Sequence, residues 1–193
     1  MEETKLEYYD YLNLDQILDA QTPVSQEPLE LMFIVAHQSS ELWFKVLIQE
    51  LTRLIDTRIH QFELTVKNPT IPLDRIVKIF EHLTTVWGIL ATMTPEEYTH
   101  FRFKLGKASG LQSKQYKEVK ALLKELPKFW KHKYKHYLIN IENAVKKWQF
   151  SHMKTVERII GDQQGTGGTS GVEYLKKAVD VPLFDMSYEW KGW

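Results

Sequence analysis

The chain contains no cysteine. That removes disulfides, thiolate-held metals, cysteine nucleophiles and thiolate-ligated haem. It also lacks an excess of charge: 25 basic residues face 25 acidic ones, a formal net charge of zero. Binders of nucleic acid or of acidic membranes depend on a field of one sign, so neither partner is expected. No apolar run reaches the roughly 18 residues that a membrane span needs. The opening MEETKLEYYDYL is acidic and aromatic, unlike a secretion signal. A soluble cytoplasmic protein is the reading these absences leave.

Glycine and proline are scarce, nine and seven in 193 residues, and apolar side chains recur at spacings of three and four. The expected fold is therefore all-α, an antiparallel helical bundle forming one domain over residues 1–193. A short helix is expected over Leu12–Ala20, a long one over Pro28–Val66, and another over Leu73–Ala91. In TPEEYTHFR, Thr94 can cap, Pro95 suits the first helical position and Glu97 completes a capping box. A third long helical region runs over Ser113–Ile160 with an interruption near Pro127, and a short helix over Val172–Val179 precedes the tail.

Aromatics make up 12% of the chain, with six tryptophans and nine tyrosines, enough for a wide core or a pocket for a flat ligand. The glycines gather in GDQQGTGGTSG, residues 161–171. Neither phosphate-loop pattern fits, because a helix precedes the loop and no lysine follows its glycines. Two histidines sit in apolar stripes on separate helices. His37 lies with Phe33, Phe44, Leu47, Leu51 and Ile55, and His152 with Ile141, Val145, Trp148, Thr155 and Ile159. One such histidine is ordinarily a satisfied core residue. Two raise the alternative that both face one apolar cofactor, and haem suits a single axial imidazole with a second imidazole opposite. Zinc fits less well, since no third ligand stands at the usual spacing. His132 and His136 are interleaved with lysines and read as a solvated basic face. His60, His82 and His100 have no evident partner, and Glu41 with Lys45 reads as a surface pair. Arg102, beside Tyr98 and Phe101, has two readings: a bidentate partner for a substrate carboxylate, or a surface pair with Glu96 or Glu97.

Four segments, YYDYLNLDQILDAQTPVS, FIVAHQSSELWFK, TMTPEEYTHFRFKLGKASGLQS and HMKTVERIIGDQQGTGGTSGVEYL, resemble the tryptophan 2,3-dioxygenase family in its own order along the chain. The resemblance implies a helical fold enclosing a b-type haem, usually in a tetramer. It implies insertion of both atoms of dioxygen across the indole C2–C3 bond of L-tryptophan, giving N-formylkynurenine. By the same resemblance His152 is the axial iron ligand, and Ser109, Trp87 and Gly110 surround the haem. His37 is the distal histidine, and Phe33 lines the indole pocket. Arg102, helped by Tyr98, takes the substrate carboxylate, and Thr166 the amino-acid end. Tyr8, Tyr11 and Leu12, within an N-terminal segment of residues 1–25, reach a neighbouring subunit's site. The loop 161–171 would then lie over the substrate's charged end as a lid. The implied assembly is a homo-oligomer, a tetramer or a dimer.

Several features depart from the family pattern. A long helical insertion is missing at about Glu125 to Phe129. Phe103 replaces an acidic residue and Leu111 a phenylalanine. Asp162, Gln163 and Gln164 stand where a base precedes GTGG, and Ser187 where the tail carries arginine. These departures keep two further readings open: a haem mono-oxygenase or tailoring enzyme acting on another aromatic amino acid or indole, and a non-catalytic haem-binding protein.

Overall fold

Asn13 divides the expected N-terminal helix. The computed structural model, which describes residues 6–59, 68–130, 133–161 and 171–184, has α1 over Tyr8–Leu12 and α2 over Leu14–Leu18. Between them Asn13 adopts a left-handed backbone, φ 55° and ψ 45°, which its short amide side chain tolerates better than most. The long helix α3 spans Pro28–Ile59, with proline at the first position, where no amide donor is needed. Helix α4, Thr70–Leu90, starts earlier than expected. The Asn68 side chain accepts from the Thr70 amide at 3.1 Å, and Pro72 falls in the first turn, where its missing N–H leaves no partner wanting. Helix α5, Pro95–Arg102, has the expected capping box. The Glu97 amide donates to the Thr94 hydroxyl at 3.3 Å, and the Thr94 amide donates to the Glu97 carboxylate at 2.8 Å.

Pro127 does not interrupt the third helical region. Helix α6 runs over Lys114–Trp130 straight through it, and the break comes at Lys133 and Tyr134, before α7 at Lys135–Ile160. Proline inside a helix costs about 3 kcal/mol through a lost hydrogen bond and a clash. Here only the last turn is affected, and that turn buries Leu126, Pro127 and Trp130. Gly161 ends α7 with φ 56° and ψ −134°, a conformation that disfavours any side chain. Helix α8 covers Gly171–Asp180.

Cross-helix contacts set the direction of each long helix. His37, Trp43 and Glu50 of α3 meet Trp87, His82 and Arg75 of α4, so these two are antiparallel. Tyr116 of α6 meets Trp148 and Gln149 of α7, far from their connecting turn, so this pair is antiparallel too. The two hairpins lie side by side, α4 against α7 and α3 against α6. Phe80 meets Trp148 while Trp87 meets His152, so α4 and α7 run the same way. Leu47, Leu51, Phe80, Leu83, Leu123 and Ile141 are fully buried where the four helices meet. Each stabilises the fold by about 1.5–3 kcal/mol relative to exposure. Glu41, instead of pairing with Lys45, accepts from the Gln115 side chain at 2.8 Å and ties α3 to α6.

One end of the bundle therefore gathers the start of α3, the ends of α4 and α7, and the start of α6. Helix α5 packs across that end through Phe33, which meets Tyr98 and Phe101 at centroid distances of 5.8 and 5.5 Å. Among the described residues there is no strand, and no single helix is long and apolar enough to cross a membrane.

Candidate functional site

Both stripe histidines arrive at this end, and Trp87 of α4 lies between them. The His152 ring stacks on the Trp87 indole with centroids 4.1 Å apart and planes 10° from parallel. The His37 ring meets the same indole edge-on at 6.0 Å. Phe33, one helical turn before His37, covers its other side at 4.3 Å. Trp148 and Phe44 extend the aromatic wall behind His152.

The tautomer of His37 follows from its backbone neighbour. Its Nδ1 lies 2.7 Å from the Phe33 carbonyl oxygen, which can only accept, so Nδ1 carries the proton and donates. In the neutral ring Nε2 is then left with a lone pair, ready to accept a hydrogen bond. Burial lowers the His37 pKa below the usual histidine value, against the opposing pull of the Phe33 carbonyl and Glu41. His152 falls further, to about 3, through burial first and then the neighbouring His37. Both imidazoles are neutral at pH 7. Each nevertheless keeps partial solvent-accessible surface.

Among the described residues nothing hydrogen-bonds the His152 ring, and no three metal-ligating side chains cluster. A neutral, partly open imidazole among aromatic walls suits a metal whose other donors come from a flat macrocycle. It does not suit a bare ion, which needs several protein ligands. The buried Trp87 and Trp148 indole nitrogens also lack protein partners, leaving two hydrogen-bond donors beside the site.

Helix α5 carries two more of the sequence candidates, Tyr98 and Arg102. Tyr98 is buried, and Arg102 lies close enough for its charge to act on the Tyr98 phenol. Arg102 is half-buried, and Glu97 is engaged at Thr94. Just beyond α5, Gly106 turns the chain with φ 56°. Ser109 and Gln112 then form a second capping box around a one-turn 3-10 helix at Gly110–Gln112. The Ser109 hydroxyl accepts from the Leu111 amide at 3.3 Å and keeps its own proton to donate, while Gly110 faces open space.

Not every sequence candidate joins this group. Tyr8 and Tyr11 are 74% and 70% exposed, and among the described residues α1 and α2 pack on each other and on no other helix, and so lie apart from His37 and His152. Thr166 lies outside the described residues, as do His60, His132, Asp162 to Gln164 and Ser187. Two residues that sequence reasoning left without a role matter here. The Thr155 hydroxyl lies 2.9 Å from the Ser151 carbonyl and 3.3 Å from the Trp87 carbonyl, tying α7 to α4 beside the stacked pair. Its place in the His152 stripe was the available signal. His100 pairs with Glu27 at 3.5 Å, a contact between segments far apart in sequence that no local pattern announces.

Comparison with known proteins follows the same lines. The family model described as tryptophan 2,3-dioxygenase matches residues 1–136 and 121–192. A tryptophan 2,3-dioxygenase of Paraburkholderia phytofirmans is 34% identical, covering 93% of this chain and 81% of that protein. One from Burkholderia ambifaria is 33% identical over 93% of the chain and 81% of its own length, and one from a Bradyrhizobium species 33% identical over 93% and 90%. The first alignment spans 253 positions against a chain of 193, so the relative carries residues that this chain lacks. The two stretches matched by the family model overlap at 121–136, which places the missing segment at the α6–α7 junction.

Proposed function

The chain belongs to the tryptophan 2,3-dioxygenase family, and on that premise we propose that it inserts both atoms of dioxygen across the indole C2–C3 bond of L-tryptophan to give N-formylkynurenine. The observation that carries the reading to this chain's own residues is the pair of neutral imidazoles, His37 and His152, converging on Trp87 at one end of the bundle.

Haem b is the cofactor the family implies, and the donor set fits it, with one open imidazole and aromatic walls in place of a cage of ligands. His152 would hold its iron, with Trp87, Ser109 and Gly110 around it. When bound, the haem supplies a reducible iron that activates dioxygen. The chain's own groups do the placing. His37 presents its Nε2 lone pair to the indole N–H and, being neutral, orients the ring without competing for a proton. Phe33 bounds an apolar face of the indole, and Tyr98, in contact with it, helps Arg102 at the carboxylate. Arg102 takes the carboxylate, and its charge remains on the guanidinium at any working pH. Thr166 takes the ammonium end. Holding substrate in a reactive pose can offset several kcal/mol of barrier, which is the work left to a protein whose cofactor carries the electronic chemistry.

Tyr8, Tyr11 and Leu12 are assigned to the site of a neighbouring copy, in a homo-oligomer that is a tetramer or a dimer. A cytoplasmic location and a single haem-binding domain over residues 1–193 belong to the same reading. The mono-oxygenase alternative rests on the missing segment and the altered tail. That segment falls where α7 begins, about 25 Å of helix from His152, so its loss leaves the site's walls in place. The test is an assay of the haem-loaded, reduced protein with tryptophan and isotopically labelled dioxygen. A product carrying two labelled oxygen atoms is expected. One labelled atom would establish mono-oxygenation instead, and no product with full haem loading would leave a haem-binding protein without this activity.

A further inference from the structure

The rings around His152 continue as a chain that leads away from it. His152 stacks on Trp87 at 4.1 Å. Trp87 meets Trp148 with centroids 6.1 Å apart, and Trp148 meets Tyr116 of α6 at 5.0 Å. Tyr116 is half-buried and stands at the outer end. The Lys120 ammonium lies 5.9 Å from its ring centroid, and Tyr174 of α8, which is 46% exposed, is near enough to act on its phenol. Every step is a contact between neighbouring rings, at the separations usual for packed aromatics. In a chain without cysteine, indole and phenol are the side chains that most readily give up a single electron.

The members differ in what they can do with their protons. Among the described residues the buried Nε1 groups of Trp87 and Trp148 have no acceptor. An indole that loses an electron there keeps its proton, and the cation left behind is a charge in apolar surroundings, where it is disfavoured. Tyr116 is placed to relieve it. Gln149 donates to the Tyr116 phenol oxygen at 3.1 Å, so that oxygen stays hydrogen-bonded once its own proton has gone. The Lys120 ammonium opposes a positive charge on the ring, so the phenol proton leaves with the electron. Phe44 and Phe80, each 5.9 Å from Trp148, fill other sides of it with rings that resist oxidation. An oxidising equivalent at Trp87 is thus drawn outward, toward Tyr116.

We propose that Trp87, Trp148 and Tyr116 form a single-electron route between His152 and the surface near Tyr174, through which oxidising equivalents left at the haem by hydrogen peroxide are passed to an external one-electron reductant. This rests on the haem-binding part of the functional reading and not on the dioxygenase reaction. Ascorbate serves as the reductant. Tyr116 gives an electron inward through Trp148 and Trp87 and its phenol proton to solvent, and one ascorbate restores it by donating a hydrogen atom. Two such transfers supply two electrons and two protons; the peroxide O–O bond breaks and its oxygens leave as two waters. Two ascorbates become two ascorbyl radicals for each peroxide, and the chain is left unchanged.

The haem-loaded wild type and its Tyr116→Phe, Trp148→Phe and Phe44→Leu variants are mixed with hydrogen peroxide in the absence of tryptophan, frozen, and compared by electron paramagnetic resonance. Wild type should show a tyrosyl radical whose hyperfine pattern collapses when ring-deuterated tyrosine is incorporated. Tyr116→Phe should lose that signal, show an indole radical in its place and still turn over tryptophan. Trp148→Phe should lose the tyrosyl signal together with the protection that ascorbate gives the Soret band against bleaching by peroxide. Phe44→Leu disturbs the packing of the same two rings but removes no oxidisable group, so it should keep both. Equal loss in Phe44→Leu would reduce the chain of rings to core packing. A tyrosyl signal that survives in Tyr116→Phe, or no radical in wild type that has reacted with peroxide, would overturn the route. Should Trp148→Phe fail to bind haem, Tyr116→Phe, which loses a single oxygen atom, still decides. Tryptophan turnover is measured on the same preparations. Turnover without a radical removes the route alone, a radical without turnover removes the dioxygenase reading alone, and a chain that takes up no haem removes both.

Discussion

At the far end of the bundle a buried carboxylate has a charged partner. Glu50 of α3 meets Arg75 of α4 at 2.6 Å, and Trp130 and Tyr134 close the turn between α6 and α7 edge to face, with centroids 5.1 Å apart. At the near end two imidazoles lie with no charged partner in contact among the described residues, beside an arginine whose charge acts on a buried tyrosine. A stable helical bundle gains nothing from placing two imidazoles there, since burial disfavours their charged form and no opposite charge in contact offsets it. The difference separates the end that holds the molecule together from the end that is shaped for something else to complete it. The segment that relatives carry and this chain lacks belongs to the first end, so its loss is a change to the scaffold.

The largest effect that contrast predicts is at His152. His152→Ala should abolish most haem uptake, read as loss of the Soret band in protein made with ample haem supply. Arg75→Ala, at the opposite end, should weaken the fold modestly and leave that band intact. Equal loss in both would dissolve the distinction between the ends. Next in size is Arg102→Ala. It should keep haem yet weaken tryptophan binding by about 2–5 kcal/mol, the range for truncating one member of a buried charge pair. Tryptophan titration followed in the visible spectrum gives the affinity directly. An Arg102→Ala protein that binds tryptophan as wild type does would remove the carboxylate from this residue.

How far each end could be read in the sequence follows from how local its causes are. The Thr94 to Glu97 capping box and the apolar stripes of α3 and α7 depend on neighbours three or four residues away, and they stand in the structure as expected. Pro127 misleads because its cost is local while the burial that offsets it comes from across the bundle. The contact of Glu30 with Ser25 is hidden for a related reason. A capping box joins residues three apart, whereas Ser25 and Glu30 are five apart, and the stretch between them has to fold back before the contact exists. Glu41 has a tempting partner in Lys45 one turn away and takes Gln115 instead, 74 residues distant. The pairing of His37 with His152 was legible only as two stripes. That Trp87 stands between them depends on α4 and α7 running the same way, which no pattern within either helix records.

The smallest effect, and the one that tests the near end without any cofactor, is on acid stability. The folded pKa of His37 is lowered and that of His152 falls to about 3, while in the unfolded chain both titrate near the ordinary value of 6.5. Below about pH 6.5 the unfolded chain therefore takes up protons that the folded chain refuses, and stability falls as pH falls. The loss from His152 continues down to about pH 3, because only there does the folded protein accept the same proton. Unfolding temperatures of haem-free protein should accordingly decline from about pH 7 toward about pH 4, and His152→Gln should flatten that decline by removing the group with the deeper shift. The far end supplies the control: Arg75→Ala changes no buried imidazole and should lower stability without changing the slope. If His152→Gln leaves the slope as steep as in wild type, the imidazole is not held neutral by its surroundings, and the near end loses the feature that sets it apart.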